Sequence, residues 1–276
     1  MEGPEGQGGG VSHEHDNEYY DDPALYRVMY ADWTADVPPL LERMRAAGGP
    51  VLEVCCGNGR VLIPALESGI DADGLDLSPA MLADLESRLA AKGLRTGVHR
   101  GDMRAFSLPR RYAMVVVAFN SFLHNLTQAD QLATLSCCRA HLAPGGRLLM
   151  CVFHPDVQKL IHYAGPEQLM KDLANVDGPG RVRLFDACVD DRIEQVREVK
   201  RRVEFVDEAG RVVREERLGF KLRYVFKPEL ELLLRAAGFG RWTIEPFVAG
   251  ERGGGTFVAG RAPQEGDILL WTAWQD

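Results

Sequence analysis

The residues of this chain whose types and spacing suit chemistry begin at Val51-Leu-Glu-Val-Cys-Cys-Gly-Asn-Gly-Arg60. An apolar run carrying an acid leads into a turn with Gly57 and Gly59, where main chain can approach a ligand that a Cβ would obstruct. Asp76 lies twenty-three residues after Glu53 and closes a second apolar run. A carboxylate there can accept from both hydroxyls of a ribose. Gly101-Asp102-Met103 follows, where Asp102 can accept from an adenine amino group while Met103 and Leu77 pack the ring faces. In order, these features describe an adenosine pocket built from successive strand tips. Two competing accounts stand beside it. Asp76 could cap its helix, although Ser78 holds the better N-cap position, and Asp102 could be a solvated turn aspartate.

The dinucleotide fingerprint, counted from Gly57, would need its third glycine at position 62, and Leu62 stands there. Leucine opposes the close helix approach that a pyrophosphate requires. A nicotinamide-dependent oxidoreductase is therefore disfavoured, and S-adenosylmethionine, which has no phosphates, is the expected cofactor. Cys55 lies at the turn with no adjoining histidine or basic residue to activate it, so a nucleophilic role is not expected.

On the acceptor side, Ala118-Phe-Asn-Ser-Phe-Leu-His-Asn125 leaves a buried apolar run. Ala118 and Phe119 are expected against the cofactor, Asn120 to orient an acceptor, and His124 to contact the cofactor or relay a proton. A histidine at a helix start, bonded to backbone, is the competing account. His154 in Phe153-His-Pro-Asp156 is the second catalytic candidate, against a strand-end cap before proline. Tyr26, Tyr30 and Trp33 are spaced to share a helix face and could meet a sulfonium through cation–π contact; core packing competes. Met81 joins the expected cofactor contacts and Tyr224 the acceptor contacts. No metal site is expected.

These side chains need a scaffold, and strand alternates with helix from residue 51 onward. Strands are expected at Val51–Val54, Ala72–Leu77, Thr96–Arg100, Tyr112–Ala118 and Arg147–Phe153. Helices are expected near Arg60–Glu67, from Pro79 to before Gly93, and over Gln128–His141. That order implies an α/β fold with a doubly wound, mostly parallel sheet of seven strands, binding ligands beyond the strands' carboxyl ends. Residues 19–47 read as helical, broken by Pro38-Pro39 and stopped by Gly48-Gly49. Residues 157–180 read as helical and then loop-like. Long antiparallel strands follow, the clearest alternating through Leu218, Phe220, Leu222, Tyr224 and Phe226. Asp207-Glu-Ala-Gly210 makes a hairpin turn before it. The expected organisation is a leader without fixed structure at 1–17, a cofactor-binding domain at 18–156 and 227–262, an inserted element at 157–226 that covers the acceptor or supports a homodimer, and a tail at 263–276. Thr243–Val248 and Gly255–Gly260 are expected to complete the core.

The 276 residues carry a net charge of −8, which disfavours binding to phosphate backbones. Glutamates interleave with Arg197, Lys200, Arg201 and Arg202, which reads as a solvated strand face. No apolar run is long enough to span a bilayer, and no secretory leader is evident. The six cysteines form no metal or redox spacing and suit reduced thiols in the cytoplasm.

The motifs resemble those of the class I S-adenosylmethionine-dependent methyltransferases. Val51 to Gly59 is similar to their first motif, Gly74-Leu-Asp-Leu-Ser-Pro-Ala-Met-Leu82 to their second and Gly101-Asp-Met-Arg104 to their third. Leu142-Ala-Pro-Gly-Gly-Arg147 resembles the turn before their fifth strand. The resemblance implies that backbone at Cys55 and Gly57 holds the methionine portion, Asp76 the ribose, and Asp102 and Met103 the adenine. Cys55 departs from the pattern, standing where many members carry glycine. The Asn120-Ser-Phe-Leu-His124 segment resembles that of small-molecule N-methyltransferases of the glycine N-methyltransferase group. Transfer to a nitrogen, or less readily an oxygen, of a small metabolite is implied, with no nucleic-acid or membrane partner. A non-catalytic protein that only binds the cofactor is the rival reading.

Overall fold

The computed structural model describes residues 20–249 and 255–274; the expected leader lies outside them. Two helices, α1 (Pro23–Met29) and α2 (Val37–Arg45), precede the alternation β1 (Val51–Val54), α3 (Leu62–Glu67), β2 (Ala72–Asp76), α4 (Pro79–Ala91), β3 (Val98–Arg100), β4 (Tyr112–Val117), a 3-10 turn (Ser121–His124), α5 (Gln128–Ala140) and β5 (Leu142–Phe153). The remainder is α6 (Val157–His162), β6 (Gly165–Ala174), β7 (Arg181–Asp191), β8 (Val196–Val206), β9 (Val212–Arg223), α7 (Lys227–Ala236), β10 (Arg241–Ala249), β11 (Gly255–Phe257) and β12 (Ile268–Trp274).

The large sheet has the order β11-β10-β12-β5-β4-β1-β2-β3. Strands β3, β2, β1, β4 and β5 run parallel, and β12 runs antiparallel to both of its neighbours, β5 and β10. In β1 and β4, Leu52, Val54, Val115 and Val117 face one buried cluster, while Val51, Met114 and Val116 face the other. A sheet covered on both faces turns an unbroken apolar run into two cores. From β1 the chain moves outward to β2 on one side and returns to β4 on the other. The crevice at that reversal is where doubly wound sheets bind ligands.

Four expectations need correction. The N-terminal region is not one helix: Tyr30 caps the end of α1, Trp33 lies in the following turn, and proline opens α2. Residues 165–174 form β6 where a loop was expected. The supposed tail contains β12, which is inserted between β10 and β5 with Leu269 to Ala273 largely buried. The expected strand at Gly255–Gly260 is only the short edge β11, and with β12 added the sheet has eight strands where seven were expected.

Strands β6 to β9 form a separate antiparallel sheet. Its inner face packs Val182, Leu184 and Val203 against Leu25, Val28 and Met29 of α1, with Tyr20, Tyr26, Tyr30 and Phe220 at the margin. The basic stretch of β8 is not simply a solvated face. Arg197 and Arg201 turn inward and form ion pairs with Asp190 and Asp186, while Lys200 points out. Alternation along the strand places every second residue on the covered side.

Candidate functional site

The turn after β1 is shaped for a close ligand. Cys55, Gly57 and Gly59 all have positive φ, at 60°, 53° and 88°. A Cβ on Gly59 would strike Leu85 and Ile63, whereas one on Gly57 would meet nothing within 4 Å. Gly59 therefore serves helix packing, and Gly57 fronts open space. Burial pushes the Cys55 thiol well up, and its Sγ lies 3.7 Å from Met103 Sδ. The thiol is inert packing beside the third strand tip.

Asp76 ends β2 with one carboxylate oxygen accepting from Gly57 N at 2.8 Å and the other from Ser78 N at 2.9 Å. Ser78 separately caps α4 through Met81 N. The capping account of Asp76 thus gives way to a carboxylate that organises the turn and keeps lone pairs for a diol. Beside it Leu77 is 56% exposed, an apolar side chain at the strand tip suited to a flat ring. Met81, in the first turn of α4, is fully buried. Asp102 is gripped by Arg104, which also reaches Asp130, so it is a paired carboxylate and not a loose turn residue.

Beyond β4, Phe119 and Asn120 both adopt left-handed backbone, with φ 53° and 63°. Such strain in consecutive non-glycine residues persists only where neighbours hold it. Asn120 N donates to Cys151 O, and Asn120 Oδ1 accepts from Phe153 N at 2.8 Å. The Asn120 side chain, expected to orient an acceptor, ties the β4 tip to β5. The Arg60 guanidinium lies 4.4 Å from the centre of the Phe119 ring and is forked onto Asp36. Ala118 is buried.

His124 is held from both sides. Its Nδ1 lies 3.2 Å from Lys221 O of β9, and its Nε2 lies 2.7 Å from the Tyr20 hydroxyl. Since a carbonyl can only accept, Nδ1 carries the proton and Nε2 receives the Tyr20 hydroxyl. Burial lowers the pKa of His124 to about 4, so the ring is neutral at ordinary pH. Tyr26 and Tyr30 are 4.9 Å apart by ring centroids, and Tyr30 meets Phe119 edge-on at 4.9 Å. Trp33 lies further along, 6.3 Å from Phe119.

His154 is elsewhere. Its main chain bonds Asp267 and Gly266 before β12, and its ring packs on Phe226. Tyr224 is buried edge-on to the same Phe226. Neither side chain joins the group around His124. Sequence reasoning missed Tyr20, Arg60, Asp36 and the inward pair of Asp186 and Arg201. It also passed over Glu53 as a buried acid: the residue is 3% exposed, and Oε2 has no hydrogen-bond partner. A position directly after a glycine turn was the available signal for Arg60; the others depend on tertiary placement.

Residues 51–146 match the family described as methyltransferase domain. The matched stretch is similar to that family. It contains the β1 turn, Asp76, Asp102 and His124. One relative, the dTDP-3-amino-3,6-dideoxy-alpha-D-glucopyranose N,N-dimethyltransferase of Streptomyces fradiae, is 38% identical over 112 residues, 41% of this chain and 42% of that protein. The dTDP-3-amino-3,4,6-trideoxy-alpha-D-glucopyranose N,N-dimethyltransferase of Streptomyces venezuelae is 33% identical over 42% of this chain and 48% of its own. The matches thus span less than half of either relative. The fold as a whole is similar to that of an amino pentose methyltransferase from Micromonospora echinaspora solved with S-adenosylmethionine bound (TM-score 0.68, 23% identity, 91% and 97% of the two chains). Among the described residues no helix is long and apolar enough to cross a membrane.

Proposed function

We propose that this protein is an S-adenosylmethionine-dependent N-methyltransferase whose acceptor is the amine of a small hydroxylated molecule, of the amino-sugar class named for its relatives. The observation that carries the reading is the neutral His124, fixed between Lys221 O and the Tyr20 hydroxyl at the tip of β4.

The residues present fit the cofactor. Asp76 suits the ribose, Leu77 and Met103 the adenine, and the open space before Gly57 the methionine portion. Bound there, S-adenosylmethionine supplies a methyl group on an already activated sulfonium. The protein's task is therefore alignment and exclusion of water. Tyr20, Tyr26, Tyr30 and Phe119 roof the tip of β4 with aromatic surface.

Geometry and burial together separate two roles for His124: both ring nitrogens are engaged, by Lys221 O and the Tyr20 hydroxyl, and burial lowers the pKa. A base with a pKa near 4 is a poor match to neutral pH, because general-base catalysis is most effective when the pKa lies near the operating pH. His124 instead accepts the Tyr20 hydroxyl hydrogen and so fixes the orientation of that phenol beside the tip of β4. A neutral amine needs no stronger base, whereas a hydroxyl acceptor would. Transfer to nitrogen follows. Six free thiols suit a cytoplasmic enzyme. Exposed Val189, Ile193 and Val213 suit a homodimer contact on the antiparallel sheet.

Calorimetry with S-adenosylhomocysteine and a turnover screen over amines, amino sugars and phenols tests the reading. Binding with turnover of amino sugars is expected. Binding without turnover of any acceptor would favour a cofactor sensor, and NADH binding without adenosylhomocysteine binding would restore the oxidoreductase.

A further inference from the structure

Met103, just beyond the tip of β3, is half-buried, and two donors converge on its thioether sulfur. Cys55 Sγ, in the turn after β1, donates to Met103 Sδ at 3.7 Å, and Asn125 Nδ2, beyond the 3-10 turn, donates to it at 3.4 Å. A thioether is a weak acceptor, so two donors on one sulfur need a reason.

Asn125 is the more telling of the two. It is 2% exposed. Its Nδ2 also donates to Phe122 O at 2.9 Å, and its Oδ1 accepts from Thr134 Oγ1 at 3.0 Å. A carbonyl only accepts, so Phe122 O fixes which end of the amide carries the nitrogen. Both N–H groups are then committed, one to the 3-10 turn and one to Met103, while the fully buried Thr134 of α5 holds the oxygen. A leucine would fill the same space with no polar group to satisfy, and burying an amide is costly unless its bonds are made. Packing does not account for the residue. What the amide does and a leucine cannot is hold the sulfur.

A methionine side chain turns about three bonds and adapts its shape to its neighbours. With Sδ held by two donors, the rotations that lead to it are fixed before a ligand arrives, and no ordering cost falls on binding. Resting on the reading that places adenine against Leu77 and Met103, we propose that Asn125 is a positioning residue for the cofactor. It holds Met103 in the conformation that forms one wall of the adenine site. The departure at Cys55 then has a use as well, since glycine there would leave the sulfur a single donor.

Asn125→Leu removes the donor at nearly constant volume. Adenosylhomocysteine affinity should fall about fivefold. The KM for adenosylmethionine should rise with kcat unchanged, because the adenine contact is equally present in the ground and transition states. In a Met103→Leu background the same substitution should change affinity by less than about 1.5-fold, whereas a merely structural role costs the same in both backgrounds. Methyl-13C relaxation of methionine-labelled wild type adds a measurement that needs no folded Asn125 variant. Unliganded Met103 should be ordered like the fully buried Met81, and not like Met170, which is 37% exposed. Equal losses in the two backgrounds, a fall in kcat with KM unchanged, or a Met103 methyl as mobile as that of Met170 overturns the proposal. Met103→Ala that binds adenosylhomocysteine as tightly as wild type also overturns it, by placing adenine elsewhere, and leaves the methyltransferase reading intact. Absence of adenosylhomocysteine binding by the wild type would instead bring down that reading.

Discussion

The Tyr20 hydroxyl donates to His124 Nε2 at 2.7 Å across 104 residues of chain. This bond joins the segment before α1 to the tip of β4, and the Lys221 carbonyl completes it from the antiparallel sheet. Removing His124 releases the Tyr20 proton to rotate toward the acceptor. We expect His124→Ala to lower kcat about 100-fold, within the span of proton-positioning losses, while adenosylhomocysteine affinity stays within about twofold. Tyr20→Phe should lose about as much, since both changes remove the same hydrogen bond. Steady-state kinetics with calorimetry checks this, and a parallel loss of cofactor affinity would make His124 a cofactor ligand.

The pH profile gives a separate check. With His124 near pKa 4, its neutral form persists from pH 6 upward. The acidic limb of kcat/KM should follow the acceptor's own ammonium, so two amines of different basicity should shift it by the difference in their pKa values. A limb that stays fixed between acceptors would assign it to the enzyme.

Asp76 couples the ligand turn to the second strand. Its carboxylate bonds Gly57 N and Ser78 N, and each such charge-assisted bond contributes about 1.5–3 kcal/mol. Asp76→Asn keeps the shape but donates where Asp76 only accepts. Adenosylhomocysteine affinity should fall about tenfold or more, with a lowered melting temperature. Affinity within twofold of wild type would place the ribose elsewhere.

Arg60 and Asp36 form a buried fork, with side chains 15% and 6% exposed. The guanidinium also bonds Trp33 O and stacks on Phe119, so one side chain fixes α2, the aromatic roof and the strained β4 tip. Arg60→Met leaves a buried carboxylate unpaired and should destabilise by about 3–5 kcal/mol. Adding Asp36→Leu should recover most of that loss. A double variant no more stable than the single would show that the stacking, not the charge, dominates.

Local pattern carried the parallel half of the fold, because β1, β2 and β4 are buried on both faces and flanked by glycine turns and capped helices. The position of Asp76 at the end of β2 was legible for the same reason: a strand end fixes a side chain's place to within one residue. What escaped depended on distant partners. The run Leu269-Leu-Trp-Thr-Ala273 reads as a short terminal segment until β5 and β10 are seen to need a strand between them. Arg201 reads as solvated until Asp186 is placed opposite it. Asn120 looked like an acceptor ligand because its bond to Phe153 N lies 33 residues away. His154 and Tyr224 were drawn in by strand position alone, and the chain turns both toward Phe226.

Glu53 supplies a linkage between protonation and folding. Burial raises its pKa to about 8, against the lowering influence of Arg60; an unfolded glutamate titrates near its ordinary value of 4.5. Between these limits the folded chain holds a proton that the unfolded chain has released. Stability from this group is therefore complete below about pH 4.5 and declines as pH rises toward 8, by up to about 1.4 kcal/mol per pH unit. His124 works in the opposite sense and in a lower window: its folded pKa near 4 lies below the ordinary 6.5, so its contribution is lost as pH falls. Glu53→Gln retains the shape and the neutral state while removing the titration. Urea midpoints at pH 5.5, 6.5 and 7.5 should show the glutamine variant gaining on wild type with each step, since His124 is common to both. Parallel curves would mean that Glu53 is ionised in the folded protein and that its buried Oε2 has a partner after all.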